Sequence, residues 1–251
     1  MRAFKNIFLL SVVLLALSCS TSRYKNLNRV LSNIDDVKIL DLSRDNLKEI
    51  PSGVFDLKNL EELILFKNNI EEVPADIKKL KHLERLVLSR NDIKKLPAEI
   101  GSLENLKNLS IIFNDLESLP DEIGNLKSLE ELKLNYNNLK ELPQSIGELK
   151  NLEFLYLDHN QLTYIPKEIG RCTMLSFLII GKNQIQQLPV EIGDLSYLCE
   201  LDVAKSGVML PLPESLCNIR GLEYLYVDRT TIVPYCLLGR RNQRFHILIK
   251  D

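Results

Sequence analysis

The chain has 251 residues, 45% of them apolar and 26% charged, a balance that demands a buried core and excludes collagen-like and largely disordered chains. A formal net charge of −2 and a pI near 6.0 lack the clustered cations needed to neutralise phosphates, so nucleic acid is not expected as a partner. Trp is absent and aromatic residues make up only 6%, so the core must be built from aliphatic layers, a composition that points to a repeat.

Arg2 and Lys5 precede the apolar run from Ile7 to Leu17, which is broken only by Ser11 and followed by Ser18-Cys19-Ser20. A basic start, an eleven-residue apolar stretch and a small-residue junction are the parts of a signal peptide, read here over residues 1–18. Eleven residues at about 1.5 Å each reach roughly half of a ~30 Å hydrocarbon core, too short for a membrane span. Leu15-Ala16-Leu17-Ser18-Cys19 resembles a bacterial lipobox, with Ala16 where that pattern usually carries Leu. The resemblance implies lipidation of Cys19, a lipidated tether over 19–26, attachment to a membrane through that lipid, and residence on a bacterial cell envelope at the outer membrane or cell surface. Ordinary cleavage and an uncleaved anchor are the alternatives. Next, Leu27, Val30, Leu31 and Ile34 follow the i, i+3, i+4, i+7 spacing of a one-sided helix, which predicts an N-terminal helical cap over 27–36.

From there one period governs the chain. Prolines stand at 51, 74, 97, 120, 143, 166 and 189, each 23 residues from the next, the signature of stacked structural units. Units beginning at Val37, Leu60, Leu83, Leu106, Leu129, Leu152 and Leu175 share the pattern LxxLxLxxNxLxxLPxxIxxLxx. Of their 49 apolar places, 48 hold Leu, Ile or Val, and Cys172 is the exception. Leu132 and Leu134 alternate with Lys133, the period of a short strand with leucines inward. Leu142, Ile146 and Leu149 then return apolar side chains to the same interior, and Pro143 suits the start of the return because it needs no ladder donor. The ninth place holds Asn68, Asn91, Asn114, Asn137, Asn160 and Asn183, whose amides can donate and accept where the backbone turns inside the stack, a structural ladder.

This pattern resembles the leucine-rich repeat family in its 23-residue form, whose second half reads LPxxIGxL, as in Leu142-Pro143-Gln144-Ser145-Ile146-Gly147-Glu148-Leu149. The resemblance implies an α/β solenoid, a horseshoe with a parallel β-sheet on the concave face and short helical or irregular return segments on the convex face. About nine units are expected over 37–235, with a C-terminal cap over 236–251; the eighth unit, from Leu198, carries one extra residue, and the ninth, from Leu222, loses the pattern after Ile232.

No phosphate loop, HExxH pair or GxSxG elbow occurs, His82, His159 and His246 are scattered, and only fifteen residues follow Cys236. The sequence therefore predicts no enzyme, no cofactor and no metal site. Cys172 reads as a small buried hydrophobe. Cys199, Cys217 and Cys236 lie in the same last third; family resemblance implies that a Cys217–Cys236 disulfide can staple the far end, while free thiols are the favoured alternative.

The outward strand places hold eight of the fourteen aromatic residues beyond the signal segment: Phe66, Phe113, Tyr136, Phe154, Tyr156, Phe177, Tyr224 and Tyr226. The last seven, spread over roughly 24 Å at strand spacing, are expected to form one patch on the scale of a ~800 Å² half-interface. The eighth place is basic at both ends, with Arg44, Lys67 and Arg90 early and Lys182, Lys205 and Arg229 late, while the second place carries Glu61, Glu84, Glu130, Glu153 and Glu223. Clustered aromatics on an exposed face mark a partner surface. The favoured reading is a lipid-anchored envelope protein whose concave face binds a protein ligand, host-derived if it faces outward. The alternative is a periplasm-facing carbohydrate or peptidoglycan binder or envelope scaffold.

Overall fold

The computed structural model describes residues 23–25, 34–240 and 244–250. The signal peptide, Cys19 and most of the expected cap helix lie outside the described residues. Among the described residues, eleven parallel strands form one sheet in chain order: β1 (Arg23–Tyr24), β2 (Ile39–Asp41), β3 (Glu62–Ile64), β4 (Arg85–Val87), β5 (Asn108–Ser110), β6 (Glu131–Lys133), β7 (Phe154–Tyr156), β8 (Phe177–Ile179), β9 (Glu200–Asp202), β10 (Tyr224–Val227) and β11 (His246–Ile249). From β2 to β9 the register is the repeat itself: Leu132 pairs with Leu155 and Leu155 with Leu178, one period apart. The molecule is a leucine-rich repeat solenoid. Part of the stretch read as tether, Arg23–Tyr24, is an edge strand paired with β2, and Ile34–Asp36 is a single 3-10 turn.

Of the 49 repeat apolar places, all but the partly buried Leu47 are buried, so the core runs unbroken along the stack. Each return begins at a proline. Pro143, at φ −67° and ψ 150°, has no N–H to satisfy, and its carbonyl accepts the Ile146 N–H at 3.0 Å to start the 3-10 turn Gln144–Glu148. The glycine of LPxxIG then sets how closely turns stack. A Cβ on Gly147 would lie 2.4 Å from the Glu168 carbonyl oxygen of the next unit, and Gly101, Gly124 and Gly170 meet the same obstacle at 2.3 to 2.5 Å.

The asparagines fix the turn after each strand. Asn137 is 6% exposed; its Nδ2 donates to the Ile111 and Leu134 carbonyls at 2.7 and 3.0 Å, and its Oδ1 accepts from the Leu116 N–H at 3.0 Å. Asn160 repeats this with Leu134, Leu157 and Leu139, and Asn183 with Leu157, Ile180 and Leu162. Each amide thus joins its own unit to the one before. In the eighth unit the fully buried Ser206 takes the place, its Oγ donating to the Ile180 carbonyl at 2.6 Å. The extra residue of that unit is extruded at Gly207–Met209, where Val208 is 92% exposed.

The far end corrects the free-thiol preference. Cys217, in the 3-10 turn Glu214–Asn218, is disulfide-bonded to Cys236 of helix α1 (Tyr235–Leu238), with Cα atoms 6.1 Å apart. The bond pins α1 so that Leu237, 2% exposed, covers the last core layer. Cys172 and Cys199 are free, and burial pushes the Cys172 thiol up to about 12.

Two expectations follow. Asn137→Ala should lower stability by about 1–3 kcal/mol by orphaning buried backbone groups, and Gly147→Ala by about 1–3 kcal/mol by forcing the turns apart; an unshifted denaturant midpoint in either variant would reject the role given to that residue. Thiol counting on chain lacking a reactive Cys19 should find two thiols, Cys172 and Cys199, under denaturing, non-reducing conditions. In the folded protein Cys172 should resist alkylation; four thiols would exclude the disulfide.

Candidate functional site

Strand residues at the third and fifth places alternate away from the core, and the seventh and eighth places continue the concave surface past the strand ends. The eighth place has a distinctive backbone. Arg44, Lys67, Arg90, Phe113, Tyr136, His159, Lys182 and Lys205 all have φ between 53° and 64°, the left-handed region that L-residues with side chains rarely enter. From Asn68 to Ser206 the next residue accounts for it: for the ninth-place side chain to turn inward and bond the neighbouring unit, the eighth must reverse the chain, which throws its own side chain outward. Arg44 shares the conformation beside the exposed Asp45, whose N–H instead donates to Asn68.

Because the conformation recurs every 23 residues, these side chains form a column. The Arg90 guanidinium lies over the Phe113 ring at 4.7 Å; Phe113 stacks on Tyr136 at 4.1 Å between centroids, and Tyr136 on His159 at 3.8 Å. The Lys182 ammonium donates to His159 Nε2 at 2.9 Å, while Nδ1–H of the same ring donates to Asp158 at 2.7 Å. Asp158 is held in turn by the Asn135 amide. Phe113 and Tyr136 are 42% and 39% exposed, large values for stacked rings in a folded chain. His159, set aside as one of three scattered histidines, is a member of this column; its eighth-place spacing from Phe113 and Tyr136 was the signal.

The remaining aromatic candidates fall elsewhere on the face. Phe154 and Phe177 stack at 5.1 Å across β7 and β8, and Tyr156 sits beside them, half-buried, with the Lys133 ammonium 5.6 Å from its ring centre. Burial, helped by Glu131 and Glu200, pushes the Tyr156 phenol up. Tyr224 and Tyr226 belong to β10 and are separated from β8 by β9, which places Glu200 opposite Phe177 and Asp202 opposite Ile179. The single patch expected from the sequence is therefore divided. Asp202 is buried and paired with Lys250, whose ammonium also lies 3.9 Å from the Tyr226 ring centre, and burial pushes the Glu200 carboxyl up. Phe66 stands apart near the first units, with Arg44 6.0 Å over its ring.

Small residues open a groove between these groups. Gly181 and Ala204 fill the seventh place where other units carry Phe66, Ile112 or Asp158, leaving about 560 Å³ bordered by His159, Lys182, Lys205 and Asp202. Among the described residues no group of three or more His, Cys, Asp or Glu is arranged to hold a metal ion, and no helix is long and apolar enough to cross a membrane.

A family model described as a leucine-rich repeat region matches residues 3–118 and 113–181, and the chain belongs to the leucine-rich repeat family. It is similar to a leucine-rich repeat protein of Leptospira interrogans, with 29% identity and a TM-score of 0.60 over 92% of this chain and 72% of that one. It is also similar to the ectodomain of the Arabidopsis thaliana receptor kinase GASSHO1/SCHENGEN3, solved in complex with CASPARIAN STRIP INTEGRITY FACTOR 2, at 25% identity and a TM-score of 0.74 over 87% of this chain and 27% of that one. The plant peptide hormone receptor RGFR1, solved in complex with RGF2, shares 28% identity at a TM-score of 0.63 over 80% of this chain and 38% of that one. No match was found among curated proteins. Fold and family together define a protein-binding scaffold.

Proposed function

We propose that this chain is a non-enzymatic binding module that presents its concave face to a protein partner while a lipid on Cys19 holds it to a bacterial envelope. The observation that carries the binding reading is the set of rings outside the leucine core: Phe113, Tyr136, Phe154, Tyr156 and Phe177 cover the middle of the face and none belongs to the buried layers. Exposed aromatic clusters of this kind give large contact area at small entropic cost. The plant peptide hormone receptor RGFR1, of similar fold, was solved in complex with RGF2, which supports a polypeptide rather than a small metabolite as partner. The anchor rests on the sequence before Cys19 alone.

Benzophenone photo-crosslinking on cells tests the face: the probe at Tyr156 should trap one reproducible partner, and the probe at the return-face Lys167 should trap none. With that partner in hand, Tyr156→Ala combined with Phe177→Ala should weaken binding by about 2 kcal/mol or more and stability by less than about 1 kcal/mol, because both side chains sit on the sheet surface. Unfolding of the double variant would place these rings in the core. Normal binding would move the partner surface elsewhere. For the anchor, Cys19→Ser should abolish metabolic acyl labelling, and labelled lipid on that variant would refute the assignment.

A further inference from the structure

The two edges of the concave face carry opposite charge. The second place holds Glu61, Glu84, Glu130, Glu153 and Glu223, and two of these are already neutralised, Glu61 by Lys38 and Glu84 by Lys107. At the eighth place the situation differs. Among the described residues, no carboxylate pairs with the side chains of Arg44, Lys67, Arg90, Lys182 or Lys205, and all five are exposed. Five cations in one line, none ion-paired through its own side chain although the Asp228 carboxylate accepts the Lys205 backbone N–H at 2.6 Å, form a positive edge on a chain whose net charge is −2.

The rings between those cations extend the same polarity. Both faces of Phe113 are covered, by Arg90 and Tyr136, and both faces of Tyr136, by Phe113 and His159. An aromatic ring carries negative potential on its faces and positive potential at its edge. With the faces occupied, Phe113 and Tyr136 show a ligand their rims. A sugar ring, which stacks through an open aromatic face, finds none here, whereas a carboxylate meets a favourable rim between cationic ends. Beside the column, the groove at Gly181 and Ala204 is flanked by Lys182 and Lys205, while its carboxylates are engaged, Asp158 with His159 and Asn135 and Asp202 with Lys250.

We infer that the eighth-place column binds an acidic, extended polypeptide segment that runs across the strands, an assignment that rests on the concave face being the partner surface and names the partner's chemistry. Seven strand steps of about 4.8 Å separate Arg44 from Lys205, roughly 34 Å, which an extended chain at about 3.4 Å per residue spans with about ten residues. Acidic side chains of that segment meet Arg90 on one side of the rings and Lys182 and Lys205 on the other.

The test uses the lipid-free protein from residue 20 onward with a fluorescein-labelled decaglutamate peptide, a decaserine peptide and a heparin-derived hexasaccharide as probes. Decaglutamate should bind at least about ten-fold tighter than decaserine at low ionic strength, and the advantage should shrink as salt shortens the Debye length from about 30 Å to about 8 Å. Arg90→Glu with Lys182→Glu should remove at least about ten-fold of that affinity, and Lys167→Glu should change it less than about two-fold. If charge reversal unfolds the chain, Arg90→Gln with Lys182→Gln should show the same loss in smaller measure. Wild-type affinity in a folded double variant overturns the proposal, and so does tighter binding of the hexasaccharide, which would make the occupant an anionic glycan. Should decaglutamate fail while crosslinking from Tyr156 still captures a partner, only the acidic assignment falls; should both fail, the concave face is not the binding surface.

Discussion

The rest of the structure depends on the hydrogen bonds of one side chain, the ninth-place asparagine. Of its three bonds one stays within its own unit, to the Leu134 carbonyl for Asn137, and two reach a carbonyl and an N–H of the unit before, so that no unit completes its polar satisfaction alone. Placing that amide inward demands a chain reversal at the eighth place, and a left-handed residue costs about 1–2 kcal/mol. Three bonds at about 0.5–1.5 kcal/mol each, with about 1–3 kcal/mol avoided for each buried group that would otherwise lack a partner, outweigh it. The column on the concave face is therefore a consequence of the interior: arginine, phenylalanine, tyrosine and histidine adopt a glycine-like backbone because the asparagine beside them must face the other way.

Spacing along the solenoid is set on both faces at once. On the sheet side, parallel ladders hold neighbouring units at strand distance; on the return side, the glycines of the 3-10 turns let backbones approach within what a methyl group would forbid. The two first units lack that glycine, carrying Phe55 and Lys78 at the equivalent place, and Phe55 is itself buried in the core. Ring stacking at 3.8 to 4.1 Å in the column is tighter than the strand pitch of about 4.8 Å, as side chains that converge on the concave side of the stack allow.

The period, the core places and the outward places were legible because each depends on residue type at fixed spacing, and 48 of 49 apolar places are buried as the pattern demands. What the sequence concealed depends on contacts across units. Aromatics at places three, five and eight were pooled into one stripe, since nothing in a single unit tells that place eight turns left-handed and stacks on its own kind. His159 looked isolated for the same reason. The Cys217–Cys236 bond requires α1 to fold back over the turn at Glu214–Asn218, in the region where the repeat, and with it the predictive pattern, had ended.

Neighbouring residues in this chain therefore answer to different masters. Place nine is satisfied inside and tolerates little, since Ser206 is its one departure after Asn68 within the regular stack and still donates to the same kind of carbonyl. Place eight is free to vary in side chain, and across eight units it runs through arginine, lysine, phenylalanine, tyrosine and histidine on one backbone conformation. A stack that needed only the reversal would be best served by glycine or asparagine, the residues least strained there. None of these positions holds either residue, and the bulky ones are ordered as cations, rings, then cations, an order the reversal does not require and the proposed partner surface would use.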